Sequence, residues 1–299
     1  MRSAQKISPS FFILGAQKAG TTWLWNMLGQ HPGTSLPQTK EIHYFGSAEL
    51  HAKGQDWYYG HFAGLDREKV IGEASTSHFF DRVPYFYNDS SQIELDPSLP
   101  PIPELMNSQF PEAKFIVILR DPVHRAVSAY SHWMKQGKLS PMLGLKRVAI
   151  EHPKLRILEY GFYGRYLEAW MGQIPAERFR IILYEQQIKR NWEQTLRDTY
   201  HYLGLDPDFT PERAGKAAHK RWPWSRILFN YYAGKVFNNI DNSALSNAIG
   251  RLDFLPFQAI TPGDVDFLRS NYLPEKGRIA SLTGLDLSSW DYGEKLLQS

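Results

Sequence analysis

The sequence predicts an α/β protein in which helices flank a parallel β-sheet, and three stretches indicate this fold. Residues 11–24, FFILGAQKAGTTWL, pass from a continuous apolar run through a glycine-bounded turn into a segment with helical spacing. Residues 114–133, KFIVILRDPVHRAVSAYSHW, repeat this order, and FRIILYE at 179–185 precedes a helical pattern at 189–203. Continuous apolar runs are typical of strands buried on both faces, so their alternation with helices predicts a parallel sheet.

The loop after the first apolar run is a candidate binding site. It runs from Gly15 to Gly20, and Thr21 and Thr22 are predicted to cap the helix that follows. Such a unit directs backbone N–H groups and the positive end of a helix dipole at one point, which favours phosphate. The loop is P-loop-like, but a Walker A lysine follows the second glycine, whereas Lys18 precedes it by two positions. A lysine there can reach the bridging oxygen of a two-unit anhydride; a generic turn with an incidental lysine is the alternative.

The next segment carries a second group of candidate side chains. Residues 40–45, KEIHYF, are predicted to be extended, which would place Glu41 and His43 on one face and Lys40 on the other. Beyond them the sequence predicts a short aromatic helix, a second strand and a loop, at 54–64, 69–76 and 83–103.

The second strand, turn and helix unit places a charged residue at the carboxyl end of a strand. Arg120 directly follows the apolar run, Pro122 is favourable at the first position of a helix, and Ser128 lies about two turns further on. Ligands bind at this edge of open parallel sheets, so Arg120 and Ser128 are candidates for binding an anion. An ion pair of Arg120 with Asp121 that merely closes the turn is the alternative.

The composition excludes several classes of protein. With 34 basic and 31 acidic residues, the net charge of +3 is too small to indicate a nucleic-acid partner. Cysteine is absent, which excludes disulfides and thiolate metal sites and favours a cytoplasmic location. No apolar run approaches the ~18 residues of a membrane-spanning helix. Residues 1–299 are predicted to form a single domain with a helical C-terminal part, and further helices are predicted at 142–152 and 163–174.

Together these segments resemble the sulfotransferases that use 3′-phosphoadenosine-5′-phosphosulfate (PAPS), most of all the heparan sulfate 3-O- and N-sulfotransferase branch and its bacterial relatives. Residues 15–24, GAQKAGTTWL, are similar to the 5′-phosphosulfate loop of the family. Residues 119–130, LRDPVHRAVSAY, are similar to its 3′-phosphate motif, and residues 40–45 to the segment that carries its catalytic glutamate. The order of these segments also matches, and the similarity extends over nearly the whole chain.

The resemblance implies a PAPS-dependent sulfotransferase that releases the bisphosphate PAP and requires no metal. It implies that Glu41 is the general base and that Lys18 neutralises charge on the leaving oxygen. The alternation of side chains in an extended segment places His43 beside Glu41, where it would either orient the carboxylate or touch the acceptor. It assigns cofactor binding to Gln17, Lys18, Ala19, Gly20, Thr21, Thr22, Trp23, Arg120, Ser128, Lys220 and Arg221.

The acceptor is not identified by the resemblance. Ala74 stands where many heparan sulfate enzymes carry a lysine, which predicts an acceptor cleft more apolar than a heparan sulfate groove. Carbohydrates, lipids and small molecules with a hydroxyl or an amine remain open as acceptors, and so does the oligomeric state. The alternative function is that of a P-loop nucleotide or nucleoside kinase, which would need a magnesium-binding aspartate and the Walker lysine.

Overall fold

A computed structural model of the chain describes residues 6–86, 92–212, 224–233, 246, 248 and 260–297. It confirms the predicted α/β fold, because five strands form one sheet in which every pair of neighbours is parallel. The strands are β1 (Phe11–Gly15), β2 (Thr34–Ser35), β3 (Val70–Ala74), β4 (Lys114–Leu119) and β5 (Phe179–Leu183). Their spatial order is β2-β3-β1-β4-β5.

Helices connect these strands along the chain. The α-helices whose bounds the structure describes are α1 (Thr21–Leu28), α2 (Ala48–His51), α3 (Gly54–Gly60), α4 (Ile102–Gln109), α5 (Pro122–Lys135), α6 (Leu145–Glu151), α7 (Tyr163–Met171), α8 (Trp192–Leu203), α9 (Trp224–Ala233), α10 (Pro262–Tyr272) and α11 (Glu275–Thr283). Helices α1 and α5 follow their strands as predicted. Helices α3, α6, α7 and α8 also lie where the sequence predicts helices, and each of these four is shorter than predicted. The short strand β2 and the helices α2 and α4 are absent from the prediction, and α4 begins inside the predicted loop 83–103.

The central strand β1 is buried along its whole length, as its apolar sequence requires. Phe11 pairs with Gly72 of β3 on one side and with Lys114 of β4 on the other. A Cβ atom at Gly72 would lie 2.0 Å from the Phe11 ring, so only glycine allows this ring to lie across β3. Phe12 stacks on Phe115 of β4, with their ring centroids 5.7 Å apart. The aromatic contacts therefore fix the sheet register that positions the loops at its carboxyl edge.

The described chain divides into two compact units. The first contains the whole sheet and comprises residues 1–121, 162–218 and 275–290. The second comprises residues 122–161, 219–274 and 291–299. Within the second unit, the Tyr272 hydroxyl donates to the Leu158 carbonyl oxygen (2.7 Å), and the Lys146 amide donates to the Asp264 carboxylate (2.8 Å). That residues 1–299 form a single domain stays a prediction.

Candidate active site

The strand order places a topological switch point next to β1. From β1 the chain passes to β2 and β3 on one side, and then to β4 and β5 on the other. The connections therefore leave the carboxyl ends of β1 and β4 in opposite directions, which opens a crevice of the kind in which parallel sheets bind ligands. The predicted loop 15–20 follows β1 and Arg120 follows β4, so both lie at this switch point.

Backbone contacts fix the loop after β1. The Ala16 amide donates to the Ile118 carbonyl oxygen of β4 (2.8 Å), and the Ala19 amide donates to the Ala16 carbonyl oxygen (3.1 Å). Lys18 has a left-handed backbone, with φ of 66°. Trp23 is buried within α1, and the amide oxygen of Gln17 is buried without a hydrogen-bond partner among the described residues. The loop is thus a compact turn that holds its polar side chains next to the start of a helix.

The residue before α1 differs from the prediction. Thr21 and Thr22 were expected to cap the helix, but Thr21 is its first residue and the cap position is Gly20. Gly20 has φ of 106°, and a Cβ atom there would lie 3.2 Å from the Tyr184 ring. The cap position is therefore left-handed and crowded, which favours glycine over threonine at this position. Gly20 has no side chain that could make a capping hydrogen bond to α1. Its positive end is therefore not neutralised by its own cap, which suits an anion.

Arg120 lies against this loop. Its Nη1 atom donates to the Lys18 carbonyl oxygen (3.0 Å), and its guanidinium carbon lies 5.0 Å from the centre of the Tyr184 ring. Its Nε atom is buried and makes no hydrogen bond within the described part of the chain, since Oε1 of Glu185 is 4.0 Å away. The Asp121 amide donates to both carboxylate oxygens of Glu185 (3.3 and 3.4 Å). The described contacts of Arg120 are thus with Lys18, Tyr184 and Glu185.

Three further residues were predicted to bind the anion: Ser128, Lys220 and Arg221. Ser128 lies on α5 and is half-buried. It belongs to the second compact unit. Lys220 and Arg221 lie outside the described residues.

The segment that carries Glu41 is not extended, contrary to the prediction. Glu41 and His43 have left-handed backbones, with φ of 67° and 59°, and a 3-10 turn follows at Tyr44–Gly46. The Glu41 amide donates to the Ala74 carbonyl oxygen of β3 (2.8 Å), so the segment lies against the end of that strand. Because two left-handed residues break the alternation of side chains, Lys40 forms an ion pair with Glu41 and does not lie on the opposite face.

The Glu41 carboxylate is held from three directions. Oε1 pairs with Nζ of Lys40, and Oε2 accepts hydrogen bonds from the Thr76 amide (2.7 Å) and the Thr76 hydroxyl (3.0 Å). Nε2 of His43 lies 3.7 Å from the same Oε2 atom. Burial raises the pKa of Glu41, but the nearby Lys40 and His43 charges and the hydrogen bonds from Lys40 and Thr76 together lower it below its usual value. The carboxylate is therefore ionised at neutral pH.

A second carboxyl group, that of Glu73, lies behind this segment and is fully buried. It accepts hydrogen bonds from the Tyr58 hydroxyl (2.6 Å) and the Ser75 hydroxyl (2.8 Å). Ser75 in turn accepts a hydrogen bond from the His43 amide (3.0 Å). Burial raises the pKa of Glu73 to about 7. Since Glu73 has no exposed surface, it braces the segment from inside and cannot touch an acceptor in this arrangement.

Sequence reasoning missed three residues of this region: Thr76, Tyr184 and Glu185. Each follows the carboxyl end of a strand, β3 or β5, which is the position from which residues of parallel strands meet at one edge. Tyr184 and Glu185 begin a π-helical turn, Tyr184–Ile188, a feature that is frequent at functional sites. The signal available in the sequence was therefore the strand end itself and not a recognisable motif.

The protein is thus an α/β protein with a glycine-bounded loop and Arg120 at the switch point of its sheet. Residues 9–211, more than half of the chain, match the sulfotransferase family, and the chain therefore belongs to that family. This confirms the predicted enzyme class, sulfuryl transfer, and favours it over the kinase alternative.

Individual relatives agree with this assignment. Mouse heparan sulfate glucosamine 3-O-sulfotransferase 5 is 25% identical over 294 residues, which is 94% of this chain and 73% of that protein. Human bifunctional heparan sulfate N-deacetylase/N-sulfotransferase 2 is 27% identical over 214 residues, which is 67% of this chain but 22% of that protein. These matches confirm the resemblance to both heparan sulfate branches.

A solved structure shows the same fold. The sulfotransferase from Alicyclobacillus acidocaldarius is 23% identical, covers 95% of this chain and 98% of its own, and superposes with a TM-score of 0.66. Among the described residues, no helix combines the length and the apolar character needed to cross a bilayer.

Proposed function

We propose that this chain transfers a sulfuryl group from PAPS to a hydroxyl or amine of a carbohydrate, lipid or small-molecule acceptor, with Glu41 as the general base. The observation that carries the proposal is the contact of Arg120 Nη1 with the Lys18 carbonyl oxygen (3.0 Å), which joins the two predicted phosphate-binding elements at the switch point. Family membership supports the reaction type. When bound, PAPS supplies the sulfuryl group and leaves as PAP.

The donor side of the site fits a ligand that carries phosphate groups. Arg120 has a buried Nε donor without a hydrogen-bond partner in the described residues, and such a donor favours an oxygen acceptor from a ligand. The uncapped start of α1 favours a second anionic group. We assign the 5′-phosphate to the loop 17–23 and the 3′-phosphate to Arg120 and Ser128, with Lys220 and Arg221 as further predicted contacts. Lys18 is assigned to neutralise negative charge that develops on the leaving oxygen.

The acceptor side requires a base that is ionised before the reaction. The lowered pKa of Glu41 meets this requirement, and such a carboxylate takes a proton only as the acceptor oxygen or nitrogen bonds to sulfur. The proton passes to Glu41 while the bond between sulfur and the bridging oxygen breaks, so charge is balanced without a metal in this scheme. His43, 3.7 Å from Oε2, is placed to orient the carboxylate.

The acceptor class follows from Ala74, whose side chain is apolar and buried at the end of β3. Because a lysine is missing at this position, we propose an acceptor of lower charge than heparan sulfate. Transfer with little salt dependence would support this assignment, and steep salt dependence with a polyanionic glycan would contradict it.

The proposal is tested by transfer from radiolabelled PAPS to compounds of the host's metabolite extract, followed by kinetics with the acceptor found. Glu41→Gln should lower kcat by about 10² to 10⁴ while PAP affinity barely changes, since positioned proton transfer typically contributes that much. Lys18→Ala is the matched contrast and should lower both kcat and PAP affinity. A Glu41→Gln enzyme that keeps more than about a third of the wild-type kcat would contradict the assignment of the base.

A further inference from the structure

Thr76, directly after the end of β3, donates twice to one oxygen of Glu41. Its backbone amide lies 2.7 Å and its hydroxyl 3.0 Å from Oε2. The residue is buried, with 7% of its surface exposed, and it begins the 3-10 turn Thr76–Phe79. Both donors therefore come from a rigid part of the fold and not from a mobile surface side chain.

The backbone of Glu41 is fixed by the same strand end. Its amide donates to the Ala74 carbonyl oxygen (2.8 Å), and the His43 amide donates to the Ser75 hydroxyl (3.0 Å). The last torsion of a glutamate side chain has a broad energy profile, so the backbone alone leaves the direction of the carboxylate undefined. Two donors on Oε2 select one direction of the carboxylate.

We propose that Thr76 is a positioning residue that fixes the orientation of the Glu41 carboxylate before an acceptor binds. This inference rests on the proposed function of Glu41 as the general base. Any residue at position 76 except proline would supply the same backbone amide, so the specific contribution of threonine is its hydroxyl. A residue without a hydroxyl leaves Oε2 with one donor and allows the carboxylate to turn toward Lys40.

The effect of the Thr76 hydroxyl on Glu41 can be measured separately from the effect of the charged groups nearby. The titratable groups that face Glu41 are Lys40 and His43 of its own segment and Glu73 of β3. His78, behind Glu73, has a pKa that burial lowers well below its usual value, so it stays neutral. All of these groups are retained when Thr76 is replaced, so a change in the titration of Glu41 reports the lost hydrogen bond.

The test compares variants of Thr76 with a matched threonine. Thr76→Val removes the hydroxyl at nearly constant shape, Thr76→Ser retains it, and Thr76→Ala serves as a second variant without it. Thr195→Val is the control, because Thr195 is also buried and its hydroxyl donates to the Gln187 carbonyl oxygen (2.8 Å) of the same unit. The readouts are the carboxyl ¹³C titration of Glu41, assigned with Glu41→Gln, and the dependence of kcat on pH.

We expect Thr76→Val and Thr76→Ala to raise the Glu41 titration midpoint by about one pH unit, since a hydrogen bond to a charged group is lost. At pH above both midpoints, kcat should fall about tenfold because the base is misdirected. Thr76→Ser and Thr195→Val should leave the Glu41 midpoint within about 0.3 pH units and kcat within about twofold of the wild-type values.

Two results would overturn the inference: an unchanged Glu41 midpoint in Thr76→Val and Thr76→Ala, or a raised midpoint with kcat unchanged. A Thr76→Ser variant as impaired as Thr76→Val would also overturn it, since bulk and not the hydroxyl would then matter. Full kcat in Glu41→Gln would instead refute the proposed base, and the carboxyl titration would still report the Thr76 contact. The two failures are therefore distinguishable.

Discussion

Replacement of Arg120 by alanine should weaken the binding of PAP by at least tenfold. The guanidinium group is already held by the Lys18 carbonyl oxygen (3.0 Å) and the Tyr184 ring (5.0 Å), so little side-chain entropy is lost when a phosphate binds. Its buried Nε atom offers a charge-assisted hydrogen bond worth about 1.5–3 kcal/mol, which corresponds to about tenfold to a hundredfold in Kd.

Calorimetry with two nucleotides separates a phosphate contact from general damage to the fold. PAP and AMP differ in the 3′-phosphate, so Arg120→Ala should weaken PAP by the stated factor and AMP by less than about threefold. Arg120→Lys retains the charge but loses the planar fork, and an intermediate loss is expected. Equal losses for both nucleotides, or equal affinities of the wild type for PAP and AMP, would refute the assignment of Arg120.

Two further predictions concern the loop and the buried carboxyl group. Gly20→Ala should lower the free energy of unfolding by about 1–2 kcal/mol in urea titrations, because φ is 106° and the added Cβ would lie 3.2 Å from the Tyr184 ring; an unchanged stability would contradict this. The pKa of Glu73 is raised to about 7 from the 4.5 of an unperturbed glutamate, so its ionisation removes about 3 kcal/mol of stability as pH rises between these values. Glu73→Gln cannot ionise, so its Tm relative to wild type should increase from pH 5 to pH 8, and a pH-independent difference would contradict the assignment.

The sheet was predictable because its strands are continuous apolar runs. Phe11 to Leu14 and the run that ends at Leu119 are buried throughout, and such runs leave few alternatives to a parallel strand between helices. The edge strand β2 has only two residues, Thr34 and Ser35, and carries no apolar pattern, so its pairing with β3 depends on the neighbouring strand and not on its own sequence.

The loop conformations were less predictable than the strands. The segment 40–45 was predicted to be extended, but Glu41 and His43 adopt left-handed backbones, and Ala74 and Ser75 accept their amide hydrogens. These contacts join residues more than thirty positions apart, and no local pattern encodes them. The cap at Gly20 was misassigned for a similar reason, since the Tyr184 ring that crowds it is distant in sequence.

The position of β1 at the centre of the sheet separates two groups of residues. Arg120, Tyr184 and Glu185 follow β4 and β5 on one side, whereas Glu41 and Thr76 are held by β3 on the other. Arg120, which we assign to the donor nucleotide, and Glu41, which we assign to the acceptor, thus lie on opposite sides of β1. Exchange of the segments around β2 and β3 between relatives should therefore alter acceptor choice while nucleotide affinity is retained, which makes this half of the sheet the natural target for redesign.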